Sequence, residues 1–117
     1  MKRILFILSI IFLANVMYAQ IEPSFPGGET AIDKYLKENI RYPQIAIENG
    51  VEGVVVVGFM VMTDGSLQDI RIMKFVDPDL EKEAIRLVEG MPAWTPAEKD
   101  GAAIEAPAKV NVPFILE

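Results

Sequence analysis

Gly53-Val54-Val55-Val56-Val57-Gly58-Phe59-Met60-Val61-Met62, followed by Thr63-Asp64-Gly65-Ser66, decides the fold. Four consecutive valines favour extended backbone, because a β-branched side chain fits a pleated surface better than a helix. The run is apolar at both odd and even positions, so this strand is central or covered. Thr63 to Ser66 is a turn signal, with Gly65 free to adopt a positive φ. Leu67 to Phe75 returns as a second strand, in which Ile70 and Ile72 alternate with Asp69, Arg71 and Met73. The two strands are predicted to form an antiparallel hairpin with one partly wet face.

Beyond the hairpin, Asp77-Pro78 reads as a helix N-cap followed by a proline at the first helical position. Leu80, Ala84, Leu87, Val88 and Met91 form one apolar stripe, and Glu81, Glu83, Arg86 and Glu89 are expected to face away from it. Pro92 to Gly101 is predicted to be an irregular loop containing Trp94. Ala106 to Leu116 is a third strand, with Ala108, Val110, Val112 and Phe114 on one face and Lys109 and Asn111 on the other. Pro107 and Pro113 lack an N–H, which places this strand at a sheet edge.

Upstream of the hairpin, Glu29 to Ile40 has helical spacing of Ile32, Tyr35, Leu36 and Ile40. Tyr42-Pro43 ends it, since the residue before proline avoids the helical region. Pro43 then opens a short helix, Gln44 to Asn49, with Gly50 at its C-terminal cap. Gln20 to Gly28 is an extended leader. The expected fold class is α+β: a three-stranded antiparallel or mixed sheet in β-β-α-β order, with the first strand between the other two and helices packed on one face.

The chain has 117 residues, enough for one domain. Lys2 and Arg3 precede an almost wholly apolar stretch from Ile4 to Ala14, and Tyr18-Ala19 leads to a plausible cut before Gln20. The expected organisation is a cleaved signal peptide over residues 1–19 and a single exported domain over residues 20–117. Retention of residues 4–19 as a membrane anchor is the alternative, although a spanning helix needs about 20 apolar residues. The full chain carries a net charge of −6, and the part from Gln20 onward carries −8. Such an acidic domain suits neither nucleic acid nor an anionic membrane surface, both of which need clustered cations.

Histidine and cysteine are both absent. Their absence removes Cys–His nucleophiles, Ser–His–Asp triads, most zinc sites and every disulfide. Asp64-Gly65-Ser66 supplies too few oxygens for calcium and reads as a turn. Asp77, Asp79, Glu81 and Glu83 read as capping plus a solvated helix face, without the apolar pocket that would tune a carboxylate for catalysis. Gly27-Gly28 is followed by no Gly-Lys-Ser/Thr and is not a phosphate loop. No enzyme activity, cofactor, metal or small-molecule substrate is expected. What remains is the edge strand. Its prolines and lysine either blunt it or restrict the register of an incoming peptide. Five main-chain bonds at about 1 kcal/mol net each would make such docking reversible, no tighter than micromolar.

The ordered series Phe25-Pro26-Gly27-Gly28-Glu29, Tyr42-Pro43-Gln44-Ile45-Ala46, Gly53-Val54-Val55-Val56-Val57, Asp64-Gly65-Ser66-Leu67, Asp77-Pro78-Asp79-Leu80, Met91-Pro92-Ala93-Trp94-Thr95-Pro96 and Val110-Asn111-Val112-Pro113-Phe114 resembles the C-terminal domain of TonB, from about residue 25 to 116. The resemblance implies a small sheet with helices on one face. It also implies a protein partner, an outer-membrane transporter whose short extended segment pairs with the last strand. By that resemblance the partner-binding residues are Lys109, Val110, Asn111, Val112 and Pro113, with Val112→Pro expected to abolish pairing. Tyr42, Pro43 and Trp94 match family positions expected to be structural. The family's long Pro-rich spacer is not matched, so the expected role is a soluble docking module linked to transmembrane transport. A short anchored energy transducer and a self-associating envelope adaptor are the other readings. A homodimer by strand exchange stays open.

Overall fold

A computed structural model describes residues 20–117. The expected signal segment at residues 1–19 lies outside the described residues. Two helices come first, α1 (Gly28–Asn39) and α2 (Gln44–Glu48). The hairpin follows as β1 (Gly53–Val61) and β2 (Leu67–Lys74), then α3 (Pro78–Glu89). Two short strands, β3 (Ala97–Lys99) and β4 (Ala102–Ile104), precede β5 (Ala106–Phe114).

The main sheet has the order β2-β1-β5, with β1 antiparallel to both neighbours. The β1–β5 register is unbroken from Gly53↔Phe114 to Val61↔Ala106. The β1–β2 register is interrupted twice, and Asp69 in β2 takes a positive φ of 54°. Val55, Val57, Phe59 and Val61 point to the helices and are buried, as are Val110, Val112 and Phe114 beside them. The all-apolar pattern of β1 therefore reflects its central place in the sheet. Among the described residues no helix covers its opposite face, where Val54 stays 38% exposed.

Helix α3 supplies the main covering layer. Asp77 caps it, its Oδ2 accepting from the amides of Asp79 at 3.0 Å and Leu80 at 3.2 Å. Leu80, Ala84, Leu87 and Val88 are fully buried against the sheet. Burial of one such leucine contributes about 1.5–3 kcal/mol. The Tyr35 hydroxyl donates to the Leu87 carbonyl at 2.7 Å and ties α1 to α3. Phe25, Phe59 and Trp94 close one end of the core by edge-on ring contacts, at centroid distances of 5.9 Å (Phe25–Trp94) and 5.1 Å (Phe59–Trp94).

Three sequence expectations need correction. Glu81 and Glu83 do not face away from the core: each is only 8% exposed. Glu81 accepts from the Val76 amide at 2.8 Å, and Glu83 accepts from the Arg41 amide at 2.6 Å. The connections before α3 and between α1 and α2 run over this side of the helix, and their amides need acceptors. Second, the stretch from Pro92 to Gly101 is not irregular throughout. Asp100 and Gly101 both adopt positive φ, 55° and 80°, and turn β3 into β4. An Asp-Gly pair suits the tight hairpin turn whose twist matches its strands. Third, β5 ends at Phe114, and the Leu116 amide then donates to Glu52 Oε1 at 2.6 Å.

Candidate functional site

Among the described residues β5 pairs with β1 alone, and its prolines set its other, free side. Pro107, Lys109, Asn111 and Pro113 stand opposite Met60, Gly58, Val56 and Val54. In an antiparallel ladder, alternate residues turn their main-chain groups toward the neighbour and the rest turn away. A proline nitrogen facing β1 would leave a buried carbonyl without a donor. The alternation set that contains both prolines therefore faces outward. Its donors are the Lys109 and Asn111 amides, and the carbonyls of all four residues are acceptors. Val110 and Val112 belong to the other set. They pair with Val57 and Val55, and their side chains are buried in the core.

This geometry divides the sequence-derived site. Lys109 and Asn111 carry outward amides and exposed side chains. Val110 and Val112 hold the strand in place. Pro113 offers a carbonyl alone. Val112→Pro would break the β1–β5 ladder instead of the outer edge, so the informative substitution is Asn111→Pro.

A groove of about 770 Å³ lies against the N-terminal half of β5, lined by Pro107 through Asn111 but not by Val112 or Pro113. One wall is the leader and the start of α1, with Glu22, Glu29 and Asp33 above an apolar floor of Phe25, Ile32 and Trp94. The other side is the open sheet face, where Arg71 and Met73 line it. The leader is held there by its own pairing. Ile21 and Glu98 exchange bonds at 2.8 and 2.9 Å, and Ser24 and Thr95 at 3.0 and 2.8 Å. Sequence reasoning missed these walls. The Phe25-Pro26-Gly27-Gly28 turn, in which Gly28 donates to the Phe25 carbonyl at 2.8 Å, was the signal available.

The three family positions are structural in their contacts. Tyr42 donates its hydroxyl to the Val51 carbonyl and meets Phe114 edge-on at 5.6 Å. Pro43 sits at the N-cap of α2 rather than at its first helical position. Trp94 is buried, lines the groove, and finds no acceptor for its indole N–H among the described residues.

The shifted carboxyls belong to the frame. Burial pushes the Glu83 carboxyl up, but hydrogen bonds from Arg86 and the Arg41 amide outweigh it and hold the carboxyl below the ordinary glutamate value. Arg86 donates to Glu83 through Nε at 2.6 Å and Nη2 at 2.8 Å, and to the Asn39 carbonyl at 2.9 Å. The Asp64 carboxyl is likewise lowered, by the hydroxyl and amide of Ser66 in the β1–β2 turn. Among the described residues, no helix is long and apolar enough to cross a membrane.

Small sheet, capped crossover helix and proline-marked edge together define a TonB-type C-terminal fold. The family model of the Gram-negative bacterial TonB protein C-terminal domain matches residues 38–116, and the chain belongs to that family. The solution structure of the TonB C-terminal domain of Helicobacter pylori, residues 179–285, superposes with a TM-score of 0.57 at 25% identity, covering 74% of this chain and 78% of that one. A second solution structure of that domain, residues 194–285, shows the same fold with a TM-score of 0.57 at 24% identity, covering 74% of this chain and 90% of that one. No individually curated protein matches the chain.

Proposed function

We propose that this chain is a periplasmic docking module, exported by its first 19 residues, that takes up an extended segment of an outer-membrane transporter by strand addition to β5. The observation that carries the reading is the groove set against the free side of β5, where the Lys109 and Asn111 amides face outward. Strand addition draws its affinity from main-chain bonds and needs no reactive side chain. That agrees with a family of interaction domains and with a chain that has neither histidine nor cysteine. Two outward donors and the carbonyls between the prolines, at about 1 kcal/mol net each, make the docking weak and readily reversible, no tighter than micromolar.

Asn111→Pro and Asn111→Ala test this reading together. Fluorescence anisotropy of a labelled peptide from the periplasmic end of such a transporter gives the affinity. Asn111→Ala keeps the amide and is expected to bind within about twofold of the parent, since the docking is to backbone. Asn111→Pro removes a donor and places a ring on the edge, so about a tenfold loss is expected. Equal binding by a folded Asn111→Pro protein would refute docking at this edge.

A further inference from the structure

The two sides of the groove carry opposite charge. On the open sheet face, Gly58 stands opposite Arg71 on one strand and Lys109 on the other, which puts both cations in one row across the sheet. The glycine leaves that row low. A Cβ at position 58 would lie 2.4 Å from Met73 Sδ, so the Met73 side chain lies over the gap between the cations. Neither cation forms an ion pair among the described residues. On the other side of the β5 edge, Glu22, Glu29 and Asp33 line the groove above Phe25, Ile32 and Trp94. The chain as a whole is acidic, at −6, so an unpaired cation row beside an open strand edge runs against its average character.

A strand added to β5 would present alternate side chains to these two sides. We infer that the groove selects an extended segment of alternating acidic and apolar residues, its carboxylates beside Lys109 with Arg71 farther along the same row, and its apolar side chains toward Phe25, Ile32 and Trp94. This inference rests on the strand-addition reading and names the chemistry of its partner. It also supplies a register. A slip by one residue exchanges the faces, which sets the carboxylates against Glu29 and Asp33 and the apolar groups beside Lys109. Both consequences are unfavourable, so the charges hold the peptide in one alignment, a task the backbone bonds alone do not perform.

Two peptides of equal length separate the ideas, one built on Val-Glu-Val-Glu-Val and the other on Val-Gln-Val-Gln-Val. Each is titrated by anisotropy into the purified protein and into its Lys109→Gln/Arg71→Gln variant. The glutamate peptide is expected to bind the parent roughly two- to fivefold more tightly than the glutamine peptide at low salt, as one adjacent solvated ion pair with a second cation farther off allows. The preference should vanish in the double variant, and shrink in the parent at about 0.5 M salt, where exposed charges are screened. Equal affinity of the two peptides for the parent, with Asn111→Pro still weakening both, would overturn the charge reading and leave strand addition standing. No binding of either peptide would overturn both.

Discussion

Replacing Gly65 with alanine tests how tightly the β1–β2 turn and the Trp94 segment are locked together. Gly65 has a φ of +86°, and a Cβ built there would lie 2.3 Å from the Trp94 carbonyl oxygen and 3.2 Å from Ala93 Cβ. The left-handed backbone alone costs an L-residue about 1–2 kcal/mol. The steric conflict adds to this, because the obstructing atom is backbone and cannot rotate away. The Trp94 amide donates to the Gly65 carbonyl at 2.9 Å, and parting the two segments forfeits that bond, about 1 kcal/mol net. The expected total is about 3 kcal/mol. Gly101→Ala is the control: its φ is +80°, with nothing within 4 Å of the added Cβ, so it should cost only about 1 kcal/mol. Urea unfolding followed by far-ultraviolet circular dichroism and by the fluorescence of Trp94, the single tryptophan, gives both values. If the two variants differ by less than about 0.5 kcal/mol, the Gly65–Trp94 contact does not carry the energy assigned to it here.

Two other outcomes test the frame. Glu83 has a lowered carboxyl in the folded state, so the folded chain binds fewer protons than the unfolded one below the ordinary glutamate value of 4.5. Its stabilisation is complete above that value and is lost as pH falls through the folded pKa. Glu83→Gln should therefore flatten the acid limb of a stability–pH profile, and an unchanged limb would contradict the network. Asp77→Ala removes the cap that accepts from Asp79 and Leu80, and should cost about 1 kcal/mol in urea unfolding, with Asp77→Asn recovering most of it.

What the sequence made legible follows from the range of the forces involved. The β1–β2 hairpin, the Asp77 cap and the proline-marked edge are encoded in neighbouring residues, and all three were readable. The burial of Glu83 was not, because its partner amide is 42 residues away, in the link that crosses α3. No period within α3 announces that link. The β3–β4 hairpin lay between these cases. Asp100-Gly101 was a usable turn signal, but Ala97-Glu98-Lys99 carries no alternating pattern to mark a strand. The groove was the least legible part. The β5 edge could be named from Pro107 and Pro113, whereas the opposing wall comes from a leader that only the fold, through its pairing with Thr95 and Glu98, brings beside it.

Hydrogen exchange at the β5 amides, with and without the docked peptide, reports the central claim directly. In the free protein the Val110 and Val112 amides should exchange slowly, being paired to β1, and those of Lys109 and Asn111 quickly. Saturating peptide should slow Lys109 and Asn111 alone within the strand, by about tenfold at a peptide concentration about ten times its dissociation constant. Protection elsewhere, with Lys109 and Asn111 still exchanging as in the free chain, would contradict strand addition at this edge.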